Sequence, residues 1–267
     1  MVKDSKAMIK LIVSDMDGTL LVENHIINDE FWTLFAKLSE KGIIFVAASG
    51  RQYHNLANIF QRIKEDIYIV AENGTYVVHQ EQELFLDALS KKDVKQLIHT
   101  ARKLTHATLV LCGKKSAYVE TEDEFFLAEI GKYYDKCQRV DDFLTVDDEI
   151  LKLAICDLTG TEQHSLPMFA DLLDDYKVVV SGKIWLDISK KSANKGVAIK
   201  KLQQILNITP EQTMVFGDYM NDAEMLEDAY YSFAMAGAHP ELKKKARYLA
   251  GSNNENGVVK AIKAFVF

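Results

Sequence analysis

Leu11-Ile12-Val13-Ser14-Asp15-Met16-Asp17-Gly18-Thr19-Leu20 is the stretch on which the reading of the chain turns. Lys10 to Val13 has the character of a buried strand and runs directly into two carboxylates one residue apart. Gly18 and Thr19 then turn the chain away. Clustered carboxylates repel and resist burial unless a cation holds them. A hard divalent ion such as Mg²⁺, which takes oxygen ligands, is the natural partner. The strand end is therefore expected to be an active site.

Outward from this stretch, residues 8–14 read as a first strand, and Asn28-Asp29 offers an N-cap to a helix with Phe31, Leu34, Phe35 and Leu38 on one face. Ile43 to Ala48 is a continuous apolar run, as expected of a strand covered on both faces of a parallel sheet. Ser49-Gly50-Arg51 and a helical pattern through Leu56, Ile59 and Ile63 follow, then strands at 67–70 and 76–78. This alternation is that of a doubly wound α/β sheet. The middle of the chain changes character. A helix–strand–turn–strand unit occurs twice, with helices at 93–104 and 162–173, a further helix at 122–134 and a strand at 151–157. After Ser189 the α/β rhythm resumes: Lys195-Gly196 opens a helix, Thr213 to Phe216 is a strand ending in Gly217-Asp218, and Pro240 and Gly257 start two more helices. The expected organisation is α/β: a doubly wound, Rossmann-like parallel-sheet core formed by residues 1–83 and 189–267, with an inserted α+β cap domain at 84–188.

Asp15, Asp17, Ser49, Lys195 and Asp218 all fall at strand ends or helix starts, and in open parallel sheets that crevice is where ligands bind. The set suits phosphoryl transfer. One carboxylate can attack phosphorus to form an aspartyl-phosphate. The second can protonate the leaving oxygen and later deprotonate water. Mg²⁺, Lys195, Ser49 and backbone N–H groups can clamp the phosphoryl oxygens. Singly, each element has an ordinary structural reading as a turn, a cap or a solvated lysine; together and in order they point to one site.

At these residues the sequence resembles the haloacid dehalogenase superfamily. Asp15-Met16-Asp17-Gly18-Thr19-Leu20, Ser49-Gly50-Arg51, Lys195-Gly196 and Gly217-Asp218-Tyr219-Met220-Asn221-Asp222 look like its four motifs, and the place of the insert resembles the Cof-type phosphatases with a C2 (type IIB) cap. Ala71-Glu72-Asn73-Gly74 and Ser252 to Gly257 look like further stretches of that subfamily. The resemblance implies Asp15 as nucleophile and Mg²⁺ ligand, and Asp17 as general acid/base with its carbonyl on the metal. Met16, Ser49, Gly50, Lys195 and Asn221 are implied as phosphate-binding. Asp218 is implied as a direct metal ligand and Asp222 as an outer-shell one or a support for Lys195. Dehalogenase members lack the second aspartate and ATPase members carry threonine there, so Asp17 favours phosphate-ester hydrolysis. Gly237, in Met235-Ala236-Gly237-Ala238, departs from the family's frequent asparagine.

Totals bound what remains. With 267 residues, 48% hydrophobic and 27% charged, the composition is that of a globular protein, and a net charge of −7 argues against nucleic acid as a partner. Three scattered cysteines suggest reduced thiols. The stretch Met1 to Lys10 has no long apolar run, and no run is long enough for a bilayer. The expectation is a cytoplasmic monomer or small homo-oligomer acting on a small phosphorylated metabolite, with no membrane partner. Dispersed histidines argue against zinc, and Gly113-Lys114-Lys115-Ser116 reads as a hairpin turn and not a phosphate loop. Phe125, Phe126, Tyr133 and Tyr134 are expected to pack. The rivals are a phosphomannomutase-like phosphotransferase, a phospho-acceptor module and a non-catalytic phosphosugar sensor. Asp17, as a built-in proton carrier, favours turnover.

Overall fold

The computed structural model describes residues 9–267; Met8, the first residue of the expected strand, lies outside the described part. In chain order the elements are β1 (Leu11–Ser14), α1 (Asp29–Glu40), β2 (Ile44–Ala48), α2 (Tyr53–Ile59), β3 (Tyr68–Ala71), β4 (Tyr76–His79) and β5 (Gln82–Leu86). Next come α3 (Lys91–Ala101), β6 (Ala107–Gly113), β7 (Ala117–Val119), α4 (Glu124–Ile130), β8 (Cys137–Arg139), β9 (Ile150–Asp157), β10 (Tyr176–Gly182) and β11 (Trp185–Lys190). The chain ends with α5 (Lys195–Leu206), β12 (Thr213–Gly217), α6 (Ala223–Glu227), β13 (Tyr231–Ala234), α7 (Pro240–Lys245), β14 (Tyr248–Leu249) and α8 (Gly257–Val266).

The chain divides into two compact units, one of residues up to Gly50, Leu56–Phe85 and Asn194–Phe267, the other of Arg51–Asn55 and Leu86–Ala193. The first holds a sheet in the order β14-β13-β12-β1-β2-β3-β4-β5. From β14 through β3 every pairing is parallel, and β4 joins antiparallel. β1 lies inside this sheet and all four of its residues are buried, which is why Leu11-Ile12-Val13 reads as an unbroken apolar run. Its register sets Ser14 beside Phe216 of β12 and Ala47 of β2. The positions just past these strands, Asp15, Asp218 and Ser49, therefore share one edge of the sheet. α1 is capped by Asn28, whose side chain accepts from the Glu30 N–H at 3.0 Å. The helix buries Phe31, Leu34, Phe35 and Leu38, and the Phe31 ring meets Phe45 of β2 edge-on at 5.0 Å.

The second unit holds a six-stranded sheet, β10-β11-β9-β6-β7-β8, antiparallel except between β7 and β8. One cluster, with Leu97, Ile98, Leu153, Ile155, Phe169 and Ile188, packs α3 against it. A second gathers Val110, Cys112, Ala154, Cys156, Trp185 and Tyr134. Local expectations change in three places. The helix expected at 162–173 is a set of turns and a short 3₁₀ segment, Leu166–Leu172. Pro167 has no N–H for an i→i−4 bond and its ring obstructs the preceding turn. β5 and β8 are strands that the hydrophobic pattern did not announce, β8 because all three of its residues are exposed. Phe126 and Tyr134 pack as expected, but Phe125 is 79% exposed. Phe126 and Ile130, one turn apart on α4, take the buried face and leave Phe125 on another.

Candidate active site

Asp15, the first residue past β1, is buried, and its N–H donates to the Phe216 carbonyl at 3.0 Å, prolonging the ladder by one step. From there the chain makes an irregular turn, Met16–Leu20, closed by the Leu21 N–H on the Met16 carbonyl at 2.9 Å. Gly18 sits in this turn at φ +77°, and a Cβ there would lie 2.1 Å from Asp218 Oδ2. Only glycine combines that dihedral with that clearance.

Lys195 is the first residue of α5, behind Asn194, whose side chain accepts from the Val197 N–H at 2.8 Å. A cation at a helix N-terminus is unfavourable by itself, and this one is fully buried. It is held because its ammonium donates to Asp15 Oδ1 at 2.5 Å and to Asp222 Oδ1 at 2.7 Å. The other Asp222 oxygen accepts from the N–H groups of Asp218 (2.9 Å) and Tyr219 (3.3 Å), so this wholly buried carboxylate is tied on both oxygens. Gly74 fixes the start of α5 from the far side: at φ +96°, an added Cβ would come within 2.3 Å of the Asn194 carbonyl oxygen.

Asp15, Asp218 and Asp222 each offer an oxygen within 4.8 Å of the others. Three acids thus share a small volume with the Lys195 ammonium, and the imbalance shows in their ionisation. Burial, then Asp222, push the Asp15 carboxyl well above its usual range despite Lys195. Burial, then Asp222, push Asp218 up to about 7. Burial works to lower the Lys195 pKa, but Asp15 and Asp222 outweigh it and raise it. Oxygen donors in excess of local positive charge suit a hard divalent cation, which would restore both acids to their anionic forms.

The other expected residues stand around this group. Asp17 is half-buried and adds its charge to the field at Asp218; its Oδ1 lies 3.0 Å from His25 Nδ1. Ser49, two residues beyond Ala47 in β2, is buried, and its N–H bonds to the Val70 carbonyl at 2.9 Å. A Cβ on Gly50 would fall 3.0 Å from Asn73 Oδ1, and that same oxygen accepts from the Asn221 amide at 3.1 Å. Met16 is buried under the turn.

A family model described as haloacid dehalogenase-like hydrolase matches residues 12–262. The chain belongs to that family. It is 34% identical over 260 residues, 95% of each chain, to the 5-amino-6-(5-phospho-D-ribitylamino)uracil phosphatase YbjI of Escherichia coli K12. It is 28% identical to an HMP-PP phosphatase of Escherichia fergusonii, over 91% of this chain and 89% of that one. The solved structure of SMU.1108c from Streptococcus mutans UA159 superposes with a TM-score of 0.87 at 29% identity, covering 97% of this chain and 99% of the other. The chain is accordingly a phosphoric monoester hydrolase of the haloacid dehalogenase-like type. No helix among its described residues is long and apolar enough to cross a membrane.

Two neighbours of this haloacid dehalogenase-like site carry no sequence signal that assigns them a place there. His25 follows Asn24 in a pair of left-handed residues, and only the fold of that loop brings it to Asp17. Asn73 lies in the quoted Ala71-Glu72-Asn73-Gly74 stretch. Its part, linking Asn221 to the loop at Gly50, depends on a left-handed φ of +56° and on the 2.9 Å bond from its N–H to the Ser49 carbonyl.

Proposed function

We propose that the chain is a Mg²⁺-dependent phosphatase that hydrolyses a small phosphorylated metabolite through an aspartyl-phosphate on Asp15. The observation that carries this is the buried Lys195 bridge between Asp15 and Asp222, with Asp218 completing the carboxylate group. Asp15, Asp218 and the Asp17 carbonyl are the groups to hold the ion, with Asp222 behind them. The ion, when bound, supplies charge neutralisation for the phosphoryl oxygens.

The Asp15 carboxylate attacks phosphorus in line with the ester oxygen, and the P–O bond to the leaving group breaks as the acyl-phosphate bond forms. Asp17 delivers its proton to that oxygen. Left as a carboxylate and half-exposed, it then takes a proton from the water that cleaves the acyl-phosphate, which returns it to its acid form. Phosphate leaves, and Asp15 is again a carboxylate. Lys195 keeps Asp15 oriented and neutralises charge on the transferring group. Ser49 and the N–H groups of Met16 and Gly50 donate to phosphoryl oxygens, with Asn221 held in reach by Asn73.

The relatives' names specify a phosphorylated ribitylaminouracil and HMP-PP, which supports a sugar phosphate or phosphorylated cofactor as the substrate, hydrolysed in the cytoplasm by a monomer or small homo-oligomer. The unit containing residues 86–193 is assigned the choice of substrate. A panel of phosphorylated metabolites read by phosphate release is the test. Release that depends on Mg²⁺ and falls by at least about 10³-fold in Asp15→Asn is the expected result. Metal-independent release, or turnover retained in that variant, overturns the proposal.

A further inference from the structure

We propose that the second unit carries a separate binding site for an amphipathic anion, a compact apolar body bearing one carboxylate or sulfonate group. A cavity of about 470 Å³ opens between α3 and the 143–150 segment, within the range of small-molecule sites. Its apolar walls include Leu89, Val94, Ile98, Leu111, Phe143 and Ile150. Five of these are buried members of the cluster beneath, and Val94 packs against it. The cavity is therefore a recess in the packed face of the unit and not a gap between loose side chains.

The charged groups at its mouth are unequally partnered. Lys91 and Lys95 line the cavity one helical turn apart on α3, on the same face as Val94 and Ile98. Both are exposed, and neither makes an ion pair or side-chain hydrogen bond among the described residues. The two acids of the lining are already committed. Asp148 accepts from the Lys115 N–H at 2.8 Å and the Tyr118 hydroxyl at 2.9 Å on one oxygen, and from the Glu149 N–H at 2.8 Å on the other. The Glu149 carboxylate pairs with Lys114 at 3.4 Å. An apolar recess is thus left with two unspent cations at its rim. An anionic head between Lys91 and Lys95, with an apolar body against Val94, Ile98 and Phe143, satisfies both features. A neutral apolar ligand leaves the lysines unused, and a small inorganic anion leaves the walls bare.

The site takes no part in the phosphatase reading, so it is tested apart from turnover. 8-Anilinonaphthalene-1-sulfonate is titrated into the full chain by fluorescence, with sodium decanoate as competitor. One saturable site, displaced by decanoate, is expected. The Lys91→Glu/Lys95→Glu variant should weaken binding at least about tenfold, the scale of a lost charge-assisted contact. Lys92→Glu, an exposed change on the same helix outside the lining, should stay within about twofold. Ala88→Trp, which fills the cavity from its rim, should abolish binding, while phosphate release by each variant reports an intact fold. Absent or unsaturable binding overturns the site. So does equal weakening by the Lys92 variant, which would reduce the effect to general charge.

Discussion

Replacing Gly18 by alanine tests how closely the turn after β1 and the residue after β12 depend on each other. The new Cβ would stand 2.1 Å from Asp218 Oδ2 and 2.8 Å from its Cγ. An ordinary contact is about 3.5 Å, so the carboxylate must retreat by roughly 1.4 Å. Metal sites tolerate about 0.2 Å. A displacement of that size should raise the Mg²⁺ concentration for half-maximal phosphate release by roughly 10- to 100-fold. The left-handed backbone adds about 1–2 kcal/mol, a loss of roughly 2–8 °C in Tm. The two effects separate with Gly42→Ala as a control. Gly42 has φ +67° but nothing within 4 Å of its added Cβ, so it carries the backbone cost alone. Mg²⁺ titrations of p-nitrophenyl phosphate hydrolysis, alongside thermal unfolding, provide both readings. Superimposable Mg²⁺ curves for Gly18→Ala and the unaltered chain would refute the reasoning, as would an equal shift in Gly42→Ala.

Three further outcomes are expected. Lys195→Met leaves Asp15 and Asp222 buried without their shared cation and should cost about 3–5 kcal/mol; a melting point within experimental error of the unaltered protein would count against the bridge. Phe31→Ala empties a fully buried ring site against Phe45 and Phe60 and should cost about 3–5 kcal/mol in urea unfolding, without moving the Mg²⁺ requirement. Asp157, whose burial raises its pKa, is nonetheless held below the usual range by the Ser165 and Thr159 hydrogen bonds. Its contribution is therefore present above the unfolded carboxyl pKa of about 4 and disappears as pH falls through the lower folded value. Ser165→Ala should lose about 1.5–3 kcal/mol at neutral pH and progressively less in acid; a pH-independent difference between the two proteins would show that the ionised carboxylate is not what Ser165 serves.

The parallel sheet was legible because its strands are short, largely apolar and lead into conspicuous residues, as Leu11–Ser14 and Thr213–Gly217 do. The acids and the lysine were legible for a related reason: a buried charge has few structural uses, so its type and position carry information. What escaped was set by geometry that composition does not encode. β8 is exposed along its length, so no alternation marked it. Pro167 was visible, but the apolar spacing around it imitated a helix. His25 reaches Asp17 only because Asn24 and His25 both adopt left-handed backbone. The surplus of rim lysines over free acids in the second unit depends on which partners Asp148 and Glu149 choose, and that is a property of the folded turn.

The place of β1 between β2 and β12 has a consequence for synthesis. As the chain leaves the ribosome, Leu11–Ser14 can pair with Ile44–Ala48 almost at once, but its other side must wait for Thr213–Gly217. For most of translation the nascent first unit therefore presents an apolar strand with unpaired N–H and C=O groups, open to association with other chains. The long-range pairing that closes it also brings Asp218 to Asp15, so the gain of activity during refolding should keep time with the sealing of that edge.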